Sequence, residues 1–272
     1  MKNKKMINKN NLIIYMLIVI ELIILFNSSI VTNSIKTSLY TFINNILPSL
    51  LPTMIIGNIL INYNIETIIP KFILNLFRKL FNFDNINTSI FILSILLGSP
   101  TNALLINNYI KDYKEKKCMI MCTTYVNPLF NIFACDLLYN SIKIAFLFIL
   151  IFIIKNMLIA FLLRKNFNNY KNKFRYKKIE IKEIILSSAK SSIIILSIVT
   201  FINIIINIIN SYIYINPLFK TIILTLLEVT SSIVNLSSMS LKYKYIFGFL
   251  SLSFCGLSII LQCFSLINNK KN

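Results

Sequence analysis

Long apolar stretches, several of them close to twenty residues, are the feature that most limits how this chain can fold. A helix needs about 20 apolar residues to cross the hydrocarbon core of a bilayer. Hydrophobic residues make up 56% of the 272, charged residues only 14%, and the mean hydropathy is +0.74. The sequence therefore predicts an all-α, polytopic membrane protein embedded in the lipid bilayer.

Six of the apolar stretches are predicted to be full spans: residues 12–26, 38–63, 118–139, 142–163, 184–209 and 217–236. The first follows four lysines and lacks an Ala-x-Ala-like cleavage site, which predicts an uncleaved span with a cytoplasmic N-terminus. Residues 65–82 differ, because apolar side chains at helical spacing form one stripe and basic and amide side chains occupy the other face. This pattern is typical of a helix that lies in the membrane interface.

The apolar stretch 88–110 is interrupted at its centre by Gly98, Ser99 and Pro100, with Thr101 and Asn102 behind them. If this stretch crossed the membrane, its lysine-rich loop 111–117 and the linker 164–178, with seven basic residues and no acid, would both lie outside. That would break the positive-inside rule. A re-entrant hairpin, which dips in and returns, keeps both loops in the cytoplasm.

A second hairpin is predicted for residues 245–267, broken at Gly256, which places Lys270 and Lys271 on the same side as Lys242 and Lys244. Each arm has about 10 residues and reaches roughly 15 Å, half of the hydrocarbon thickness. Irregular backbone at that depth must line a cavity or be covered by protein. Both tips, with Ser99 and Ser258, are therefore expected to face one cavity near the midplane.

The chain is expected to form two related halves, residues 1–163 and 181–272, joined by the basic cytoplasmic linker 164–180. FILSILLG (91–98) and FLSLSFCG (249–256) both run eight residues from Phe to Gly, and each follows a Ser-bearing span. Paired broken segments at corresponding positions indicate a transporter site.

Few charged side chains fall inside the apolar stretches. Glu228 is the single acid in residues 217–236, and Thr230 follows it. An acid near the bilayer centre usually faces a cavity, although a Glu near a tilted helix end could instead reach water. Lys190 is a possible counter-charge for an anion or for Glu228, or it extends to the cytoplasmic interface. Asn127 precedes Pro128, which must disrupt its helix.

Several function classes are disfavoured. Histidine is absent, and no hydrolase or metalloprotease motif occurs, so the chain is not expected to be an enzyme. The five cysteines lack partners at zinc spacing, so neither a metal nor another cofactor is predicted. The net charge of +19 is not accompanied by a nucleic-acid-binding pattern, so no nucleic-acid partner is expected.

Five motifs, in order along the whole chain, resemble those of nucleoside-recognition (gate) domain membrane proteins. They are Leu47-Pro48-Ser49-Leu50-Leu51-Pro52, Gly98-Ser99-Pro100-Thr101-Asn102-Ala103, Asn127-Pro128-Leu129-Phe130, Leu227-Glu228-Val229-Thr230 and Phe254-x-Gly256-Leu257-Ser258-x-x-x-Gln262. The chain departs from the family pattern where Ser99 replaces an aromatic residue, and where Asn102 and Ser232 each replace a glycine.

The order of the motifs is most similar to the YlbJ family of sporulation integral membrane proteins. That resemblance implies transport of dipicolinic acid into the forespore, across its outer membrane. Transport of a nucleoside or another solute, and a non-transporting scaffold for spore assembly, remain alternatives. The oligomeric state is open. The residues predicted to bind the small-molecule anion are Gly98, Ser99, Pro100, Thr101, Asn102, Asn127, Lys190, Glu228, Thr230, Gly256, Ser258 and Gln262.

Overall fold

The computed structural model describes residues 9–63, 65–167, 180–212 and 216–267, and every regular element in those ranges is a helix. The α-helices are α1 Lys9–Phe26, α2 Ser28–Thr41, α3 Leu47–Asn62, α4 Lys71–Phe81, α5 Asn85–Leu97, α6 Thr101–Tyr109, α7 Tyr113–Cys122, α8 Pro128–Tyr139, α9 Ile142–Leu163, α10 Ile181–Tyr212, α11 Pro217–Leu227, α12 Val229–Ser237, α13 Leu241–Phe254 and α14 Gly256–Leu266. A π-helical turn, Phe42–Ile46, joins α2 to α3, and short 3-10 turns lie at Ile65–Thr67 and Arg164–Asn166. The first lysines, most of the basic linker, and Lys270 and Lys271 lie outside the described residues.

Within the described ranges, three helical segments are long and apolar enough to cross a membrane: Ile142–Asn166, Ile181–Tyr212 and Leu241–Leu266. Two bent pairs would raise the number to five: α1 with α2, bent by 89°, and α4 with α5, bent by 99°. Large apolar side chains are exposed along these helices, which a bilayer would shield from water. The prediction of an all-α membrane protein is confirmed at this level. The six full spans predicted from the sequence exceed the number of segments that are long and apolar enough to cross, because breaks divide several of the expected segments.

The amphipathic segment begins later than its apolar stripe suggested. Pro70 caps α4, which starts at Lys71, and Ile65–Thr67 form a separate 3-10 turn. The prediction of one helix from residue 65 was therefore wrong at its start, because proline favours the first turn of a helix over its interior. On the buried side of α4, Phe77 packs edge-on against Phe91, with ring centroids 5.5 Å apart.

Helices α5 and α6 fold back on each other. The Asn87 amide, in the first turn of α5, donates to Oε1 of Glu115 on α7 at 2.7 Å. Lys116, the next residue on α7, donates from Nζ to Oδ1 of Asn107 in the last turns of α6, also at 2.7 Å. In a straight helix Asn87 and Asn107 would be about 30 Å apart. The segment is therefore a helical hairpin with its tip at Gly98.

The start of this hairpin and the end of α9 lie together. Asn82 donates from its amide to the Arg164 carbonyl at 3.1 Å, and the rings of Phe83 and Phe167 have centroids 4.8 Å apart. We call this side of the molecule the basic end, and the side reached by the end of α8 and the end of α10 the far end. The loop 111–117 and the first linker residues thus share one end, as predicted.

A second helical hairpin is formed by α11 and α12, with Glu228 at its tip. Asn235 donates from its amide to the Thr221 hydroxyl at 2.9 Å, and the Thr225 and Ser232 hydroxyls are 3.2 Å apart. These pairs bracket Glu228, so the two helices run antiparallel. The prediction of a full span over residues 217–236 was therefore wrong.

The predicted hairpin over residues 245–267 was also wrong. Helices α13 and α14 form Leu241–Leu266, one of the three segments long enough to cross the membrane, broken only at Cys255 and Gly256 with φ of 62° and 66°. The start of α13 lies at the far end, because the Tyr139 hydroxyl donates to the Lys244 carbonyl at 2.9 Å. Lys242 and Lys244 therefore do not join the other basic clusters at the basic end.

The order of long helix, helical hairpin and broken helix occurs twice. The first series is α2–α3, α5–α6 and α7–α8, and the second is α10, α11–α12 and α13–α14. The two long elements run antiparallel, held by hydrogen bonds from Asn203 to Ser38 and from Asn207 to Ser34. The Phe-to-Gly stretches do not correspond, because 91–98 is a hairpin arm and 249–256 belongs to a broken helix.

Candidate functional site

The first hairpin tip docks on the break between α7 and α8. Gly98 has φ of 72°, and a Cβ added there would clash with the Asn127 Cα, so only glycine fits. The Ser99 N–H donates to the Tyr125 carbonyl at 2.6 Å, and the Asn127 amide donates to the Leu97 carbonyl at 3.1 Å. The Asn127 Oδ1 also caps α8 by accepting from the Leu129 N–H. The Asn127 side chain, next to Pro128, thus forms hydrogen bonds with backbone groups of both the hairpin tip and α8.

Two more predicted residues support this tip from inside the protein. Asn102 is fully buried and donates from its amide nitrogen to the carbonyl and the hydroxyl of Thr123, at 2.6 and 2.9 Å. Thr101 is 1% exposed. The Asn102 side chain thus fixes the tip against the unwound segment between α7 and α8, and Thr101 is buried beside it.

The second tip is Glu228, which is 2% exposed. Its two carboxylate oxygens accept from the backbone N–H groups of Thr230 and Ser231, at 3.1 and 2.5 Å. The carboxylate is therefore the N-cap of α12, where negative charge is favoured by the helix dipole. Gly256 lies against this tip, because a Cβ added there would be 3.2 Å from the Leu227 carbonyl oxygen.

The two tips and the two broken helices border one small cavity of about 60 Å³. Its lining includes six predicted site residues: Ser99, Pro100, Asn127, Glu228, Thr230 and Gln262. The rest of the wall is apolar and comes from the π-helical turn, the segment between α7 and α8, and helices α3, α8, α10, α12 and α14. Polar side chains from distant parts of the sequence therefore converge on one side of a small cavity whose other walls are apolar.

The other predicted residues take different places. Ser258 is fully buried and accepts from the Gln262 amide at 2.9 Å, so it orients a lining side chain but is not in the lining. Gly98, Thr101, Asn102 and Gly256 support the tips, as described above. Lys190 is exposed on α10 and is not in the lining. The structure thus does not bring Lys190 to Glu228 or to the cavity.

A larger cavity, which we call the vestibule, adjoins the first and was missed in the sequence. Its volume is about 400 Å³, and it shares Ile46, Val199 and Thr230 with the small cavity. Its polar lining is Thr37, Thr41, Asn203, Asn207, Asn210, Lys220, Thr230, Ser231 and Asn235. The signal was present in α10, because asparagines spaced by four and three residues share one helix face.

In the described ranges no group of three or more His, Cys, Asp or Glu side chains is placed to hold a metal ion. The five cysteines are buried free thiols. No protein-family model, curated protein or solved structure matches this sequence.

Proposed function

We propose that this protein is a membrane transporter of a small organic anion, with dipicolinic acid as the cargo that the resemblance to YlbJ proteins implies. The observation that carries the proposal is the convergence of two hairpin tips and two helix breaks on one polar cavity. Transporters build their sites from such discontinuous helices, whose ends present free backbone groups and partial charges. By the same resemblance, the protein acts in the outer forespore membrane.

In this proposal the two series of helices are related halves of opposite orientation. The hairpin α5–α6 is re-entrant from the cytoplasmic, basic end, and the hairpin α11–α12 is re-entrant from the far end. Their arms have 13, 9, 11 and 9 residues. At ~1.5 Å per residue they reach about 14 to 20 Å, so both tips stop near the middle of a hydrocarbon core ~30 Å thick.

Glu228 controls the second tip in this scheme. Its carboxylate occupies the N-terminus of α12. A carboxylate of the cargo could bind at this position if Glu228 were not there. Loss of the negative charge would weaken both bonds to the backbone. We therefore assign Glu228 a role in coupling and gating, and assign the cargo contacts to Ser99, Asn127, Thr230 and Gln262, which line the same cavity.

The test is reconstitution of the full chain in liposomes, with flux of labelled dipicolinate as the readout. Uridine and protein-free liposomes serve as controls. The proposal predicts protein-dependent dipicolinate flux that exceeds uridine flux. Flux of uridine alone would favour the nucleoside alternative, and no flux of either solute would favour the scaffold. The dipicolinate content of spores that lack this protein tests the assigned cellular role.

A further inference from the structure

The vestibule, not the small cavity, has the dimensions of a ligand site. Small-molecule sites usually enclose roughly 300–1,000 Å³. The vestibule has about 400 Å³, whereas the cavity at the tips has about 60 Å³. A cargo larger than a few atoms therefore fits the vestibule, and fits between the tips only when a hairpin moves.

Among the described residues, the lining of the vestibule has one charged side chain, Lys220, and the other polar groups in that lining are neutral amides and hydroxyls. Lys220 is half-buried, and within the described part of the chain its ammonium group has no hydrogen-bond or ion-pair partner. Opposite charges attract more strongly where low-dielectric walls replace water. The vestibule is therefore electrostatically suited to an anion and unsuited to a cation.

The position of Lys220 is not explained by helix stability. It is the fourth residue of α11, close to the N-terminus that Asn216 caps. The helix dipole is positive there, so a cation in this turn is disfavoured, and cations are stabilising at the other terminus. The dipole and the ammonium group add to one positive potential beside the cavity.

The wall facing Lys220 is preorganised. Asn203 donates to the Ser38 hydroxyl at 3.0 Å and accepts from the Ser231 hydroxyl at 3.1 Å. Asn207 donates to the Ser34 hydroxyl at 2.9 Å. Because these amides are already fixed by neighbouring helices, ligand binding need not order them, which favours affinity.

We propose that the vestibule is the recognition site for a small organic anion, in which Lys220 pairs with a carboxylate of the ligand. This inference rests on the proposed function and deepens it, since it names the charge that selects the cargo; Thr230 lies where the vestibule meets the cavity at the tips. Lys220 takes the counter-charge role that the sequence suggested for Lys190.

Binding to the full-length protein in nanodiscs of zwitterionic lipid tests the inference by calorimetry. The probes are pyridine-2,6-dicarboxylate and its neutral diamide. Lys220→Gln should weaken dicarboxylate binding about tenfold or more, because a charge-assisted hydrogen bond is lost, and Lys220→Arg should retain it. Lys143→Gln is the matched control, since it removes an exposed lysine at the far end that does not line the vestibule.

Equal losses in Lys220→Gln and Lys143→Gln would overturn the inference, as would equal binding of dicarboxylate and diamide. If Lys220→Gln does not fold, Asn210→Asp provides a second test, because a new carboxylate in the same lining should also weaken dicarboxylate binding. Flux in liposomes separates the two proposals. If binding depends on Lys220 but no flux occurs, only the transport function is rejected. If Lys220→Gln transports at the wild-type rate, only the vestibule site is rejected.

Discussion

Replacing Glu228 with Gln separates the structural role of this side chain from its charge. Glu228 accepts two backbone hydrogen bonds with two oxygens, and Gln offers one oxygen and an amide nitrogen that cannot accept. One cap is lost, at a cost of about 1 kcal/mol. The lost interaction with the helix dipole adds roughly 0.3–2 kcal/mol. We therefore expect Glu228→Gln to destabilise the fold by about 1–3 kcal/mol and still to insert in the membrane.

The dipicolinate flux should fall by about tenfold or more, which is more than a stability loss of this size explains. The reason is that the negative charge to which we assign the gating of the second tip is removed. The assay compares dipicolinate flux per inserted protein with thermal unfolding in detergent. Glu228→Asp keeps the charge and is a favoured N-cap, so it should recover most of the stability and part of the flux. Flux at the wild-type rate in Glu228→Gln would refute the coupling role and leave Glu228 as a cap.

Two further predictions concern topology and the second hairpin. Reporter fusions at Lys116 and Asn169 should both report the cytoplasm, and a fusion at Lys242 should report the other side; a cytoplasmic Lys242 would contradict the broken span α13–α14. Cysteines at Thr221 and Asn235, 14 residues apart, should cross-link in a background without native cysteines, since the two side chains are hydrogen-bonded. In a straight helix the same spacing is about 21 Å, so a pair at that spacing within α10 should not cross-link, and absence of the Thr221–Asn235 cross-link would reject the hairpin.

The sequence predicted the first hairpin correctly because it decides on which side of the membrane many basic residues lie. A crossing at residues 88–110 would have moved both the loop 111–117 and the basic linker, so charge strongly favoured the hairpin. The second hairpin was assigned to the wrong segment for the converse reason. Exchanging the roles of residues 217–236 and 245–267 leaves residue 267 on the same side in both arrangements. Only the short segment with Lys242 and Lys244 changes side, and two lysines are a weak signal.

The site was predictable where a residue breaks a helix, and less so where it lines a wall. Gly98, Pro100, Asn127 and Glu228 interrupt apolar sequence, and each lies at a tip or a break. Lys220 was overlooked because a lysine close to the start of an apolar helix is usually taken to extend to the membrane surface. Its position in the vestibule depends on the antiparallel contact of α2–α3 with α10, and on the fold-back of α12, which pairwise packing determines and local sequence does not.

The docking of each tip on a later break has a consequence for biogenesis. When the ribosome has delivered only α5 and α6, the backbone N–H of Ser99 has no partner, because the Tyr125 carbonyl has not yet been synthesised. An unpaired backbone group is costly in lipid. The hairpin is therefore expected to remain in the translocon or at the membrane surface until α7 and α8 emerge. Glu228 differs, since it caps its own helix, so the backbone at the second tip has hydrogen-bond partners before α13 and α14 emerge.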